Sequence, residues 1–251
     1  MSEAFVLRSY PFKEADLVVS FLTRDQGKLR GVAKRARRPK SPFGAGLERL
    51  SQVRMAYFQR ETRELVNLDS CELLVSQFRL LSDYRAAVAL DYFAEVTDQL
   101  LPPGEPNDRF FRLLIAVLEH MRAAEAGSVW RAVTYFSMWT VRLSGFLPDL
   151  DVCLGCGSLL ADGEAIERAF FSRGRDGLMC GECRRTAGAG SYELSVESRV
   201  MAEQILRKPV AQIRQDGWAR ETCADLRRFL VQQIEAHIER KLITPPVLEA
   251  V

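Results

Sequence analysis

The chain has 251 residues, 47% of them apolar and 27% charged, with a net charge of only +2. That length can bury a substantial core and divides naturally into two or three units. Its longest charge-free stretches run to ten residues, as between Arg131 and Arg142, far short of a bilayer span. Near the start stands Glu3, with no apolar segment ending in small residues, so neither a membrane span nor a secretory signal is expected.

Residues 4–8, 17–23, 28–34, 52–58 and 65–75 are rich in Val, Leu, Phe and Tyr and are separated by turn residues, which predicts five strands. Thr23-Arg-Asp-Gln-Gly27 fits a tight hairpin between the second and third, and residues 59–63 fit another between the fourth and fifth. Five short strands with a long loop between the third and fourth suggest a small OB-type barrel, with an SH3-like barrel as the alternative.

Charge is informative once mapped along the chain. Residues 1–80 carry +6 and the remainder −4. The basicity is densest over residues 28–40, where Lys28, Arg30, Lys34, Arg35, Arg37, Arg38 and Lys40 occur without one acid. Such a run fits a solvated loop as well as a phosphate-binding one. Pro39, Pro42, Gly44 and Gly46 make residues 35–46 a loop, and Phe43 within it either stacks on a base or pins the loop down.

From about residue 80 the apolar period changes from two to that of a helix. Leu90, Phe93, Val96 and Leu100 recur until Pro102-Pro103, and residues 110–121 and 129–143 are apolar nearly all round, as central helices of a bundle would be. Two CxxC knuckles follow, Cys153-Leu-Gly-Cys156 and Cys180-Gly-Glu-Cys183, separated by 23 residues. Four thiolates in paired two-residue loops can close on one tetrahedral ion, and zinc is the expected occupant, one per chain. With all four coordination positions filled the role is structural rather than catalytic, and two disulfides are the competing reading. Beyond the knuckles, residues 198–207 form a short helix stopped at Pro209. Leu226, Leu230, Ile234, Ile238 and Leu242 mark a long amphipathic helix before Pro245-Pro246. The expected fold class is therefore α+β: an N-terminal five-stranded OB-fold barrel (1–79), a helical domain in two parts (80–150 and 191–251), and an inserted four-cysteine zinc ribbon (151–190). Cys71 and Cys223 sit in apolar patterns as buried thiols, consistent with a reducing cytoplasm.

Enzymatic readings lack their parts. There is no GxxxxGK[ST], and neither His120 nor His237 belongs to an HExxH or HxE motif. Pro148-Asp149 with Glu239-Arg-Lys241 imitates a nuclease signature, but 89 residues intervene and the second half falls in a helical pattern. A zinc-ribbon adaptor that binds only protein is a further alternative.

Three segments, Ala4-Phe-Val-Leu-Arg-Ser-Tyr-Pro-Phe-Lys-Glu-Ala-Asp16, Phe21-Leu-Thr-Arg-Asp-Gln-Gly-Lys28 and Gly31-Val-Ala-Lys-Arg-Ala-Arg37, resemble the N-terminal region of the RecO recombination mediators. Residues 41–47 are similar to that family's serine-to-leucine loop, Leu143-Ser-Gly-Phe-Leu-Pro148 to its helix end, and the paired CxxC motifs to the zinc site of many members. One departure is Arg35, where a glycine is common in the family, which predicts a stiffer start to the basic loop. The resemblance implies a non-enzymatic, cytoplasmic and nucleoid-associated DNA-repair protein that binds single- and double-stranded DNA and anneals complementary strands. It also implies contact with the C-terminal tail of single-strand-binding protein, and action with RecR, and possibly RecF, in loading RecA. On these residues, Lys28, Arg30, Lys34, Arg35, Arg37, Arg38, Lys40 and Phe43 are the candidate DNA contacts. An acidic tail with an apolar end needs an apolar groove flanked by cations, for which Arg112, Arg122, Arg131 and Arg142 are the candidates.

Overall fold

A computed structural model describes every residue except 60–64, 124–127, 163–164, 167, 187–189 and 214–217. Five strands lie close to where the apolar alternation puts them: β1 (Ser2–Phe12), β2 (Asp16–Thr23), β3 (Gly27–Ala33), β4 (Gln52–Phe58) and β5 (Val66–Val75). They close into a barrel in the order β1-β2-β3-β5-β4, with β3 parallel to β5 and β1 antiparallel to β4. This is the OB connection, and the long link from β3 to β4 that it requires is the basic loop. Inward positions Ala4, Val6, Val19, Phe21, Val53, Met55, Val66 and Leu68 form the barrel core, as a period of two demands for a sheet buried on one face. In the β2–β3 hairpin the Thr23 hydroxyl accepts from the Gln26 N–H and donates to the Gly27 carbonyl, both at 2.9 Å. Gly27 has φ +71°, and a Cβ there would fall 2.1 Å from the Glu105 carbonyl oxygen, so only glycine fits. The second hairpin expected at 59–63 falls largely outside the described residues.

Helices follow: α1 (Phe78–Leu81), α2 (Tyr84–Leu100), α3 (Asp108–Arg122) and α4 (Ser128–Leu143). Asp83 caps α2 by accepting from the Ala86 N–H at 2.8 Å, and Asn107 does the same for Phe110 at 3.0 Å in α3. Next come β6 (Ala161–Asp162), β7 (Ala165–Ile166), β8 (Ala169–Ser172), α5 (Gly181–Thr186), β9 (Ser191–Leu194), α6 (Val196–Arg207), α7 (Ala224–His237) and α8 (Thr244–Glu249). The chain forms two compact units, Met1–Ile115 with Leu242–Val251, and Ala116–Lys241, the division falling within α3. Among the described residues no helix is long and apolar enough to cross a membrane.

Two features differ from the sequence expectation. The amphipathic pattern from Leu226 does not continue to Leu242 as one helix, because Glu239 turns left-handed at φ +53°. The Glu239 N–H then donates to the Ala236 carbonyl at 3.3 Å and the Arg240 N–H to that of Glu235 at 3.2 Å, a Schellman stop made without glycine. Pro245-Pro246, read as a terminator, instead opens α8, where a missing N–H costs nothing. The free donors at that end are met by buried Glu95 of α2, which accepts from the N–H groups of Ile243 at 2.8 Å and Thr244 at 2.9 Å.

Candidate metal centre and nucleic-acid interface

The two knuckles are brought together by backbone pairing. The Cys153 N–H donates to the Ser158 carbonyl at 2.8 Å, the Leu154 N–H to that of Leu178 at 2.7 Å, and Phe170 exchanges both of its bonds with Met179. As a result the Sγ atoms of Cys153, Cys156, Cys180 and Cys183 all lie within 4.8 Å of one another, and none is in a disulfide. Cys156 and Cys180 sulfurs are 3.9 Å apart, close to the roughly 3.8 Å that four sulfurs about 2.3 Å from one tetrahedral centre must adopt. The residues therefore fit a divalent ion. At Gly155 an added Cβ would come within 2.9 Å of Cys183 Sγ, so the first knuckle can pass this close only as glycine.

Electrostatics favour thiolate at one end of the group and oppose it at the other. Burial works against the Cys153 thiolate, but backbone N–H donors from Cys180, Cys156 and Gly155 outweigh it and bring its pKa down to about 6. Crowding by the Cys156, Cys180 and Cys153 sulfurs pushes Cys183 up to about 12. Four thiolates cannot share this volume without a cation, which is the charge a metal ion supplies. The hairpin is held to α6 by Arg199, whose Nη1 and Nη2 both donate to the Leu160 carbonyl at 3.1 Å. Arg184 lies over the Phe170 ring at 4.2 Å. Cys71 and Cys223 stand apart from this group, and burial raises the pKa of both thiols, Cys71 to about 11.

The basic segment divides into parts. Arg30, Lys34, Arg35, Arg37, Arg38 and Lys40 are exposed, and none of them forms an ion pair among the described residues. The loop is tied to the β1–β2 turn by its backbone: the Arg35 N–H donates to an Asp16 carboxylate oxygen at 2.8 Å and the Arg37 N–H to the Ala15 carbonyl at 3.0 Å. Lys28 differs from the rest. It is half-buried at the far end of β3, its ammonium donates to the Asp98 carbonyl of α2, and burial lowers its pKa.

Phe43 is a correction. It is 3% exposed and packed in the barrel core, so as placed its ring cannot stack on a base. Its carbonyl accepts from the Cys71 thiol at 3.2 Å, while an added Cβ at neighbouring Gly46 would lie 2.4 Å from the same sulfur. Of the two roles open to Phe43 in the sequence, the structure has the pin. Arg35 has φ +55°, a left-handed conformation that glycine adopts without the Cβ strain.

One of the four arginines proposed for a partner's tail, Arg131, is not exposed. Arg112 belongs to the first unit and pairs with Asp108 at 3.0 Å, and Arg122, Arg131 and Arg142 belong to the second. Arg142 is exposed and Arg122 half-buried, but Arg131 is 1% exposed, with Nε donating to His120 Nε2 at 2.9 Å. Arg131 is therefore an interior residue, because α4 is buried on nearly every side. Sequence reasoning missed Arg199 and Arg227, the latter over the Trp130 ring at 4.7 Å. Their signal was a charge at an apolar helix phase, Arg199 with Ala202 and Ile205, and Arg227 with Leu230 and Ile234.

An OB barrel with a basic loop, followed by helices and a four-cysteine group, defines a barrel-plus-metal-knuckle class of protein. The comparisons place it more narrowly. Residues 1–77 match "Recombination protein O N terminal" and residues 81–245 match "Recombination protein O C terminal". The chain is 49% identical over 248 residues to "DNA repair protein RecO" of Koribacter versatilis, covering 99% of this chain and 97% of the relative. To proteins of the same name it is 32% identical in Pelobacter propionicus (83% and 89% covered) and 28% in Symbiobacterium thermophilum (98% and 95%). The chain belongs to the recombination protein O family, whose role lies in DNA repair.

Proposed function

We propose that the protein is a non-enzymatic recombination mediator that binds single- and double-stranded DNA and anneals complementary strands. The observation that carries this reading is the run of exposed cations from Lys34 to Lys40, without acid partners among the described residues, on an OB barrel. Cations so placed neutralise the phosphates of two approaching strands and remove the repulsion that opposes pairing, and contacts to phosphate carry no sequence preference. Zinc in the four-cysteine group serves as a structural ion, and RecR, the single-strand-binding protein tail, RecA and RecF are the partners that family membership suggests. We assign the DNA contacts to residues 1–79, the zinc insertion to 151–190, and the two parts of a helical domain to 80–150 and 191–251, in a cytoplasmic protein.

A metal-dependent nuclease draws no support, since the one group of metal-ligating side chains found among the described residues is the four-cysteine set, and Lys241 of the imitated motif is paired with Glu235. The test is annealing of complementary oligonucleotides by the purified, zinc-loaded protein, with Mg²⁺ present to report scission. Accelerated annealing without scission is expected. Scission, or no binding of DNA at low salt, overturns the reading.

A further inference from the structure

With Phe43 inside the barrel, the basic loop offers phosphate contacts but no exposed ring. Strand register puts aromatic groups elsewhere. Tyr10 faces Val18, Val18 faces Val32, Val32 faces Asn67, and Asn67 faces Phe58, so one cross-strand row runs over all five strands. Cross-strand partners share a face of the sheet. That face is the outer one, because the alternating neighbours Val19, Ala33, Val66 and Leu68 fill the core. Phe58 is 50% exposed at one end of the row, and Phe12, two residues beyond Tyr10 on the same face, is 38% exposed at the other. Four strand-to-strand steps of about 4.8 Å make an arc of about 19 Å.

Cations border the row. The Arg8 guanidinium lies over the Tyr10 ring at 5.0 Å and the Lys13 ammonium over the Phe12 ring at 5.5 Å. Arg30 and Lys34 flank Val32 along β3, both exposed. Two acids stand two residues from the row: Asp16, opposite Phe12, already accepts the Arg35 N–H that fixes the basic loop, and Asp69 of β5, beyond Asn67, is exposed. Lone exposed aromatics need no explanation, but rings set at both ends of one sheet row, with cations beside them and the basic loop tied to the same edge, match one ligand chemistry. A single strand of nucleic acid presents flat base faces at intervals along a line of negative charge. A duplex keeps those faces stacked on one another and unavailable.

Resting on the DNA-binding reading above, we propose that Tyr10, Phe12 and Phe58 are the base-stacking residues for single strands, laid across the outer barrel face while the loop from Lys34 to Lys40 holds phosphates. Stacking gives affinity without reading sequence and does not depend on salt, whereas the loop sets the salt response.

The test pairs affinity with cross-linking. The double variant Tyr10→Ala/Phe58→Ala of the full chain should bind an oligo(dT) single strand about 10- to 100-fold more weakly with an unchanged salt slope, and bind duplex of equal length almost as before. Tyr10→Phe/Phe58→Tyr should restore binding. Independently of how the alanine variant folds, irradiation of the wild-type protein on a 5-iodouracil-substituted strand should give adducts at Tyr10, Phe12 or Phe58. Single-strand affinity within twofold of wild type in a folded alanine variant, or adducts confined to other residues, overturns the proposal while leaving the mediator reading intact. Failure of the wild-type protein to bind any DNA overturns both.

Discussion

The Cys71 thiol of β5 donates to the Phe43 carbonyl at 3.2 Å, across 28 residues of sequence. Through this contact, and the ring of Phe43 in the barrel core, a loop rich in arginine and glycine acquires a fixed foot. The loop's charges are thus displayed from a defined base rather than from a free tether.

Phe43→Ala should therefore act on folding. Removing a buried aromatic ring costs about 3 to 5 kcal/mol, so the denaturation midpoint of the barrel should fall sharply, while single-strand affinity per folded molecule stays near wild type. Urea titration alongside binding measures both. A tenfold affinity loss at unchanged stability would return Phe43 to the stacking role.

Burial holds the Cys71 pKa at about 11, above the ordinary thiol value of 9.0. The folded state keeps this proton where the unfolded chain loses it. The stabilisation is fully present below about pH 9 and is lost as pH rises to about 11, by up to about 2 to 3 kcal/mol. Cys71→Ala should remove this part of the alkaline loss, and denaturation at pH 8, 9.5 and 11 would show it. An unchanged alkaline slope in the variant would place the titration elsewhere.

Removal of the metal should loosen the second unit and leave the barrel folded. Zinc ligation supplies on the order of 10 to 16 kcal/mol in small zinc peptides. Cys180→Ser, or chelation, should expose residues around 152–160 to proteolysis, with one zinc per chain lost by elemental analysis. Protons compete for the thiolates, so metal retention should fall as pH is lowered. Two rather than six free thiols after denaturation without reductant would favour disulfides.

Arg199 holds the metal hairpin to α6 through the Leu160 carbonyl. Arg199→Met keeps most of the side-chain volume but leaves that buried carbonyl unmet, at a cost of about 1 to 3 kcal/mol. Faster hydrogen exchange across 152–160, with zinc still bound, is the expected result. Unchanged exchange there would mean that the metal alone holds the hairpin.

Local chemistry explains what was legible in the sequence. Barrel strands announce themselves by a period of two, the β2–β3 hairpin by Gly27, and the four-cysteine group by spacing, because each depends on residues close in the chain. The destination of Phe43 depended on Cys71 and Gly46, and no local pattern distinguishes a pinned ring from an exposed one. The end of α7 was missed because Glu239 takes the left-handed position usually held by glycine. Arg131 lies inside because α4 is surrounded, which a list of charges does not reveal.

The central claim is that the exposed loop cations hold DNA phosphates, and the salt dependence of single-strand binding tests it most directly. With about five phosphates held, the slope of log affinity against log salt should be about −3.5 for the wild-type protein. It should flatten by about two units in the charge-reversed variant Arg35→Glu/Arg37→Glu/Arg38→Glu. The same slope in both proteins would contradict the account and place the electrostatic footprint elsewhere on the chain.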